Sequence, residues 1–262
     1  MAMRTLLLFF FSLMVSCGDT TDAPTGNTGA RFLNAEPVEF TTSDGFLLRG
    51  TFFYNSSYAQ PKPAIVLLHS FGGSHLDWFA FAPDLVDLKH FVVLAIDLRG
   101  HGASRFQNGL EFPIETFSPD DLNNMPLDLV ASVAYLKTRP EAIATRIGML
   151  GVDVGANLAF IGSGTLPEVQ AAVSISPQFR ENQAQGILTG TNLPGFQPSN
   201  VLFVASFGDG YAYTSSQTMA GLTGGLTQIL GLQGVAHGMD VLGVDDTWES
   251  VMDWFSQTLA NS

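Results

Sequence analysis

Asp153 is the residue of this chain that most invites a chemical reading. It stands in Gly151-Val152-Asp153-Val154-Gly155, after the apolar run Arg146-Ile147-Gly148-Met149-Leu150 and before a segment of helical character from Ala156. A strand, a sharp turn and a helix in that order lift the central side chain clear of a sheet, as the serine of G-x-S-x-G is lifted. Glycine on both flanks removes the side chains that would block such a turn. A carboxylate at this place is already ionised and needs no base before it attacks. It suits saturated carbon, where it displaces halide or opens an epoxide to leave an alkyl ester that activated water then hydrolyses. Attack on an ester carbonyl would instead give a mixed anhydride, whose tetrahedral precursor expels the carboxylate more easily than the alkoxide. Two more residues follow apolar runs: Asp209 in Phe207-Gly208-Asp209-Gly210-Tyr211, and His237 in Gly234-Val235-Ala236-His237-Gly238-Met239-Asp240. A lone aspartate after a strand is usually a turn or a helix cap. His75 and His90 have no partner motif, which favours surface or helix-end roles. No spacing of histidine and carboxylate suggests a metal, and the glycines from Gly221 to Gly225 lack the Gly-Lys-Ser/Thr of a phosphate loop, so neither metal nor cofactor is expected.

The elements that must position these residues alternate along the chain. Pro37 to Thr42 and Leu47 to Tyr54 read as a hairpin turning at Ser43-Asp44-Gly45. Ala64 to Leu68, Phe91 to Ile96, Arg146 to Leu150, Ala171 to Ile175 and Val201 to Ala205 are continuous apolar runs of the kind buried on both faces, and a last short strand is expected near Gln233 to Val235. Helices are expected over His75 to Lys89, Leu127 to Leu136, from Ala156, over Gln217 to Leu230 and over Thr247 to Ala260. Strands alternating with helices imply a mostly parallel sheet covered on both faces, with ligand sites at the carboxyl ends of the strands.

Four motifs in register resemble the α/β-hydrolase superfamily, particularly its dienelactone-hydrolase-like and carboxylesterase-like members, from about Glu36 to the C-terminus. They are His69-Ser70-Phe71-Gly72-Gly73, similar to an HGxGG oxyanion loop with serine in place of the first inner glycine; Asp97-Leu98-Arg99-Gly100-His101-Gly102-Ala103-Ser104, similar to a D-x-R-G-x-G-x-S turn; the Asp153 elbow; and the Asp209 and His237 segments. The resemblance implies an α/β-hydrolase fold with an eight-stranded, mostly parallel sheet, helices on both faces and a minimal cap. It implies Asp153 in the nucleophile's place, Asp209 as the acid, His237 as the histidine, and the backbone N–H groups of Phe71 and Val154 as the oxyanion hole. The Asp97 turn reads as structural, because its aspartate and arginine suit the pinning of a loop. Haloalkane dehalogenases and epoxide hydrolases usually carry a large cap with gripping aromatics, whereas the interval from Ser176 to Asn200 is short and Val154 replaces their tryptophan. Trp78, Phe71 and Tyr211 are possible stand-ins, although aromatics at such positions are more often core. Other readings stay open: acyl hydrolysis by another hydroxyl, Ser70 or Ser163, or a non-catalytic protein in which Asp153 and Asp209 hold His237 as a static ion cluster. A site filled by Phe71, Phe207 or Tyr211 would favour the last of these.

The bulk composition limits the partners. There are 11 lysines and arginines against 24 aspartates and glutamates, a net charge of -13, which disfavours nucleic acid; a small-molecule substrate is expected. Residues 1–16 hold Arg4, the apolar run from Leu6 to Phe11 and Ser16 before the single cysteine, Cys17, the layout of a signal peptide. Met14-Val15-Ser16-Cys17 resembles a bacterial lipobox, which implies lipidation at Cys17, a membrane anchor and a place in the bacterial cell envelope. Residues 17–35 read as the lipidated N-terminus and a flexible tether, and residues 36–262 as one hydrolase domain.

Overall fold

The apolar runs become the strands of a single sheet, described over residues 33–179 and 195–260 in a computed structural model. The hairpin is formed by β1 (Leu33–Thr41) and β2 (Phe46–Asn55), closed at Gly45 with φ +89°. Leu33, Asn34 and Ala35 already belong to β1, within the stretch expected as tether. There follow β3 (Lys62–Leu68), β4 (Val92–Ile96), β5 (Phe106–Gln107), β6 (Leu110–Glu111), β7 (Ala142–Val152), β8 (Val169–Ile175), β9 (Ser199–Ser206) and β10 (Gly224–Leu232). The spatial order β10-β9-β8-β7-β3-β4 is parallel throughout, and β2 joins β4 antiparallel, as β1 and β5 join β2.

The sheet is ten-stranded, where eight strands were expected. The additional pair is β5 and β6, a two-residue ribbon closed by Asn108 (φ 50°) and Gly109 (φ 81°). Consecutive positive φ angles are what an Asn-Gly hairpin turn supplies, and the ribbon docks on β2 through Phe46 opposite Gln107. The last strand also differs, because β10 covers Gly224–Leu232, residues expected largely as helix. The apolar residues at 219, 222, 226 and 230 fit a helical stripe, but glycines at 221, 224 and 225 break it, and Ile229 pairs opposite Phe203. The helix in that interval is therefore the earlier Gly210–Ala220. Between His75 and Lys89 the expected helix is split into a 3-10 turn at His75–Trp78 and the short α1 (Ala82–Asp87), with Pro83 in the first turn of α1. Of the interval from Ser176 to Asn200, residues 180–194 lie outside the described structure, so the expected minimal cap does too.

Alternate strand residues feed two cores. Val66 and Leu68 face α3 (Pro126–Leu136), α4 (Val154–Thr165) and the helix at 210–220, while Ile65 and Leu67 face α1 and the C-terminal helix Thr247–Ala260. Each fully buried aliphatic side chain contributes about 1.5–3 kcal/mol, so this double-sided burial holds the strand ends that carry the site. In chain order the Pro119–Asn123 turn is α2, and the two last helices are α5 and α6.

Candidate active site

The elbow at Asp153 is built by close packing. A Cβ on Gly151 would lie 1.9 Å from the Gly155 carbonyl oxygen, and one on Gly155 would lie 2.3 Å from that of Leu68. Only glycine permits strand, turn and helix to approach this far. Asp153 itself takes φ 55°, ψ -111°, a conformation costly to a residue with a Cβ, and it is held there by its N–H on Ile175 O at 3.0 Å and by Ala156 N–H on its carbonyl at 3.1 Å. Asp153→Gly should therefore be more stable than Asp153→Ala by about 1–3 kcal/mol in urea unfolding. Both variants lack the carboxylate, so equal stabilities would show that the backbone is unstrained.

The carboxylate is half-buried and engaged on both oxygens. Oδ2 accepts the Phe71 N–H at 3.4 Å, and Oδ1 accepts Gln178 Nε2 at 2.9 Å. Val154 opens α4, where a backbone N–H has no acceptor within the helix. The loop that presents Phe71 is set by His69, which is fully buried: Nε2 accepts the Leu98 N–H at 2.9 Å, so the proton sits on Nδ1 and is donated to Ser70 O at 2.7 Å. Burial pushes His69 down to about 4, against the pull of Ser70 O. The unfolded chain binds this proton near pH 6.5 and the folded one does not, so the neutral ring's contribution is present above 6.5 and is lost as pH falls towards 4. A displacement from 6.5 to about 4 corresponds to about 3 kcal/mol. The stability advantage of wild type over His69→Asn should shrink by that order across this window in urea titrations at successive pH. The difference between the two proteins is the readout, because Asp128, pushed up to about 6 by burial, titrates in the same window with opposite sign in both. A constant difference would mean that His69 is not held neutral.

Asp209 and His237 are brought together. Asp209 caps α5 with Oδ1, which accepts the Ala212 N–H at 3.4 Å, and binds His237 Nδ1 with Oδ2 at 2.5 Å. The cap and the acid, alternatives from the sequence, are the same residue. The two loops are joined by the Gly208 N–H on Gly234 O at 2.8 Å, and Gly238 (φ 63°) donates its N–H to Ser176 Oγ at 3.1 Å, which sets His237 above the ends of β8 and β7. Its side chain is 49% exposed, and among the described residues it has no hydrogen bond to Asp153. Phe71, Phe207, Tyr211 and Val235 are exposed; the Phe71 ring rises from the loop that donates to Asp153, Tyr211 donates to Phe179 O, and the Phe207 ring lies against Tyr213 on the side of β10, so it does not fill the site.

The other candidates fall outside it. Trp78 is fully buried among Phe81, Leu85 and Val86, so it cannot grip a leaving group. Ser163 spends its hydroxyl on Phe160 O, near the far end of α4. Ser70 is half-buried within the His69–Gly73 loop. The Asp97 turn is structural: Asp97 accepts the Ala103 N–H at 2.7 Å and both His75 N–H and Nδ1, Arg99 is buried between Asp44 and Asp128, and His101 lies edge-on to Phe71. His90 stacks on Tyr58. No group of three metal-ligating side chains occurs among the described residues. A cleft of about 470 Å³ lined by Ser163, Thr165, Pro167, Gln170 and Asn200 opens at the opposite end of the strands, away from Asp153, Asp209 and His237. Gln178 and Asn157, which shape the site, gave no signal in the sequence, since neither belongs to a spaced motif.

Residues 63–236 match the family profile described as alpha/beta hydrolase fold. Over 89 residues the chain is 32% identical to protein phosphatase methylesterase 1 of Bos taurus, covering 34% of this chain and 22% of that protein, so it spans about a fifth of that relative's length. Among solved structures, the esterase Pf2001 of Pyrococcus furiosus has a TM-score of 0.65 at 19% identity, over 87% of this chain and 92% of the other. The dienelactone hydrolase of Anabaena variabilis has a TM-score of 0.63 at 16% identity, over 87% and 98%. With the Asp153 elbow, the His69–Gly73 loop and the Asp209–His237 pair at the ends of parallel strands of one sheet, and the profile matched across most of the chain, the chain belongs to the α/β-hydrolase-fold family.

Proposed function

We propose that the chain is a hydrolase in which Asp153 attacks an electrophilic saturated carbon of a small, uncharged, apolar substrate bearing a halide, epoxide or ester leaving group. The observation that carries this reading is the Phe71 N–H on Asp153 Oδ2. A donor meant for an external carbonyl is taken up by the second oxygen of the nucleophile, so the site suits an ester formed on Asp153 better than an ester brought by the substrate. The names of the similar proteins, methylesterase, esterase and dienelactone hydrolase, support hydrolysis as the reaction class. The exposed rings of Phe71 and Tyr211 support an apolar substrate.

In the first step Oδ1 bonds to carbon and the bond to the leaving group breaks, its electron pair departing with a halide or carboxylate, or staying on the opened epoxide oxygen, which takes a proton from water. The alkyl ester keeps its carbonyl oxygen, Oδ2, on the Phe71 N–H. Water then gives a proton to Nε2 of His237, oriented through Nδ1 by Asp209, and its oxygen adds to Cγ of Asp153. Charge develops on Oδ2 against the N–H groups of Phe71 and Val154. Collapse expels the alkoxide, which takes the proton from His237, and the acid left at Asp153 ionises to the starting carboxylate. The test is a single turnover in ¹⁸O-water with protein in excess: the product alcohol should contain no label and the peptide bearing Asp153 should gain it. Label in the alcohol in that first turnover would exclude an Asp153 nucleophile.

The hold of Gln178 on Oδ1 favours a second reading, a binding or structural protein whose carboxylate is kept static. In that case Asp153→Asn leaves its function unchanged. We further propose export and tethering to a bacterial envelope membrane through Cys17; residues 1–32 lie outside the described structure, and the support is the sequence pattern alone. Cys17→Ser should move the protein from the membrane fraction to the soluble one, and unchanged fractionation would overturn the anchor.

A further inference from the structure

Gln178 reaches Asp153 from a loop whose backbone is also held by other contacts. Asn157, buried one turn into α4, binds the Gln178 backbone with both ends of its amide: Oδ1 accepts the Gln178 N–H at 3.0 Å and Nδ2 donates to Gln178 O at 2.7 Å. The next residue is tied to α5, where the Phe179 N–H meets Ser215 Oγ at 3.0 Å and Tyr211 Oη donates to Phe179 O at 2.9 Å. The backbone is thus fastened to the helix that starts at Asp153 and to the helix that Asp209 caps. The Gln178 carboxamide is delivered to Oδ1 at 2.9 Å from this backbone.

We infer that Gln178 is a positioning residue, whose carboxamide fixes the plane of the Asp153 carboxylate so that Oδ2 stays on the Phe71 N–H and Oδ1 points its remaining lone pair at the substrate. The inference rests on the reading of Asp153 as nucleophile. The end torsion of an aspartate is broad and nearly two-fold, so the two oxygens are kept distinct only if different donors hold them. A neutral amide does so without adding charge. Its hydrogen bond reduces the electron density on Oδ1 somewhat, but a nucleophile misplaced by about 1 Å costs on the order of 10²-fold in rate, and direction is the larger effect.

The test compares wild type, Gln178→Leu and Gln178→Glu on a substrate that alkylates Asp153, with adduct formation followed by mass spectrometry beside steady-state rates and urea midpoints. Gln178→Leu should lower kcat and the alkylation rate about 10–100-fold, with KM within about 3-fold and the midpoint unchanged, since Asn157, Ser215 and Tyr211 still hold the loop. In Gln178→Glu the new carboxyl can donate to Oδ1 only when protonated, so its activity relative to wild type should rise as pH falls. A kcat for Gln178→Leu within twofold of wild type, or superimposable pH profiles for wild type and Gln178→Glu, would overturn the positioning role while leaving the nucleophile intact. Absence of an adduct in wild type that nonetheless turns over would overturn both.

Discussion

Replacing His237 by alanine should leave the protein alkylated at Asp153 and halt turnover after one equivalent of leaving group. In the proposed mechanism the two half-reactions place different demands on the site. Attack by Asp153 needs a carboxylate and an orientation, both present without the imidazole. Hydrolysis of the resulting ester needs a base, and in the described structure the side chain equipped for that work is His237, with Nδ1 on Asp209 at 2.5 Å. Loss of a general base costs about 10²–10⁴-fold, and the loss falls entirely on the second step, so the intermediate accumulates. Asp153→Asn should lose both steps, with turnover down on the order of 10⁴-fold and no adduct. A panel of haloalkane, epoxide and p-nitrophenyl ester substrates, with peptide mass mapping, distinguishes the outcomes. If wild type turns over while His237→Ala yields neither a burst nor a modified Asp153 peptide, the nucleophile lies elsewhere.

The parts of this site that could be read in the sequence are those where one residue type answers to one backbone requirement. Gly151 and Gly155 are legible because no other residue fits 1.9 and 2.3 Å from backbone oxygens, and the buried strands are legible because β3, β4 and β8 are buried on both faces and mostly apolar. β10 was not, because it is an edge strand, half-exposed over most of its length, and edge burial is too slight to impose alternation on residues that also fit a helical stripe. Gln178 was illegible for a different reason. Its partner is 25 residues away, Asn157 is 21 away, and the geometry that joins them exists only once β7 and β8 lie side by side. A side chain whose role depends on a tertiary neighbour of unremarkable type leaves no spacing to find.

Asp128→Ala should be the most destabilising single truncation of a polar residue in the domain, at about 3–5 kcal/mol. Arg99 is 1% exposed, with Asp128 taking Nε and the Arg99 N–H at 2.8 Å each, Asp44 taking Nη1 at 2.8 Å and Nη2 at 3.2 Å, and the Phe46 ring 4.8 Å from the guanidinium. Removing Asp128, itself fully buried, leaves a buried cation half-paired and a backbone donor without an acceptor. Asp44 is partly exposed, so water can replace it, and Asp44→Ala should cost nearer 1 kcal/mol. Deleting both charges with apolar residues of similar size, as in the double variant Arg99→Met with Asp128→Leu, should recover much of the loss. The damage in Asp128→Ala should also reach the chemistry. The turn that Arg99 anchors supplies the Leu98 N–H to His69, holds His75 through Asp97 and backs Phe71 with the His101 ring, so the donor facing Asp153 Oδ2 loses its support. At a temperature where Asp128→Ala is still folded by circular dichroism, the rate of Asp153 alkylation should fall while that of Asp44→Ala stays near wild type. Urea unfolding that places Asp128→Ala within 1 kcal/mol of wild type would show that the Arg99 charge is compensated by something other than this pair.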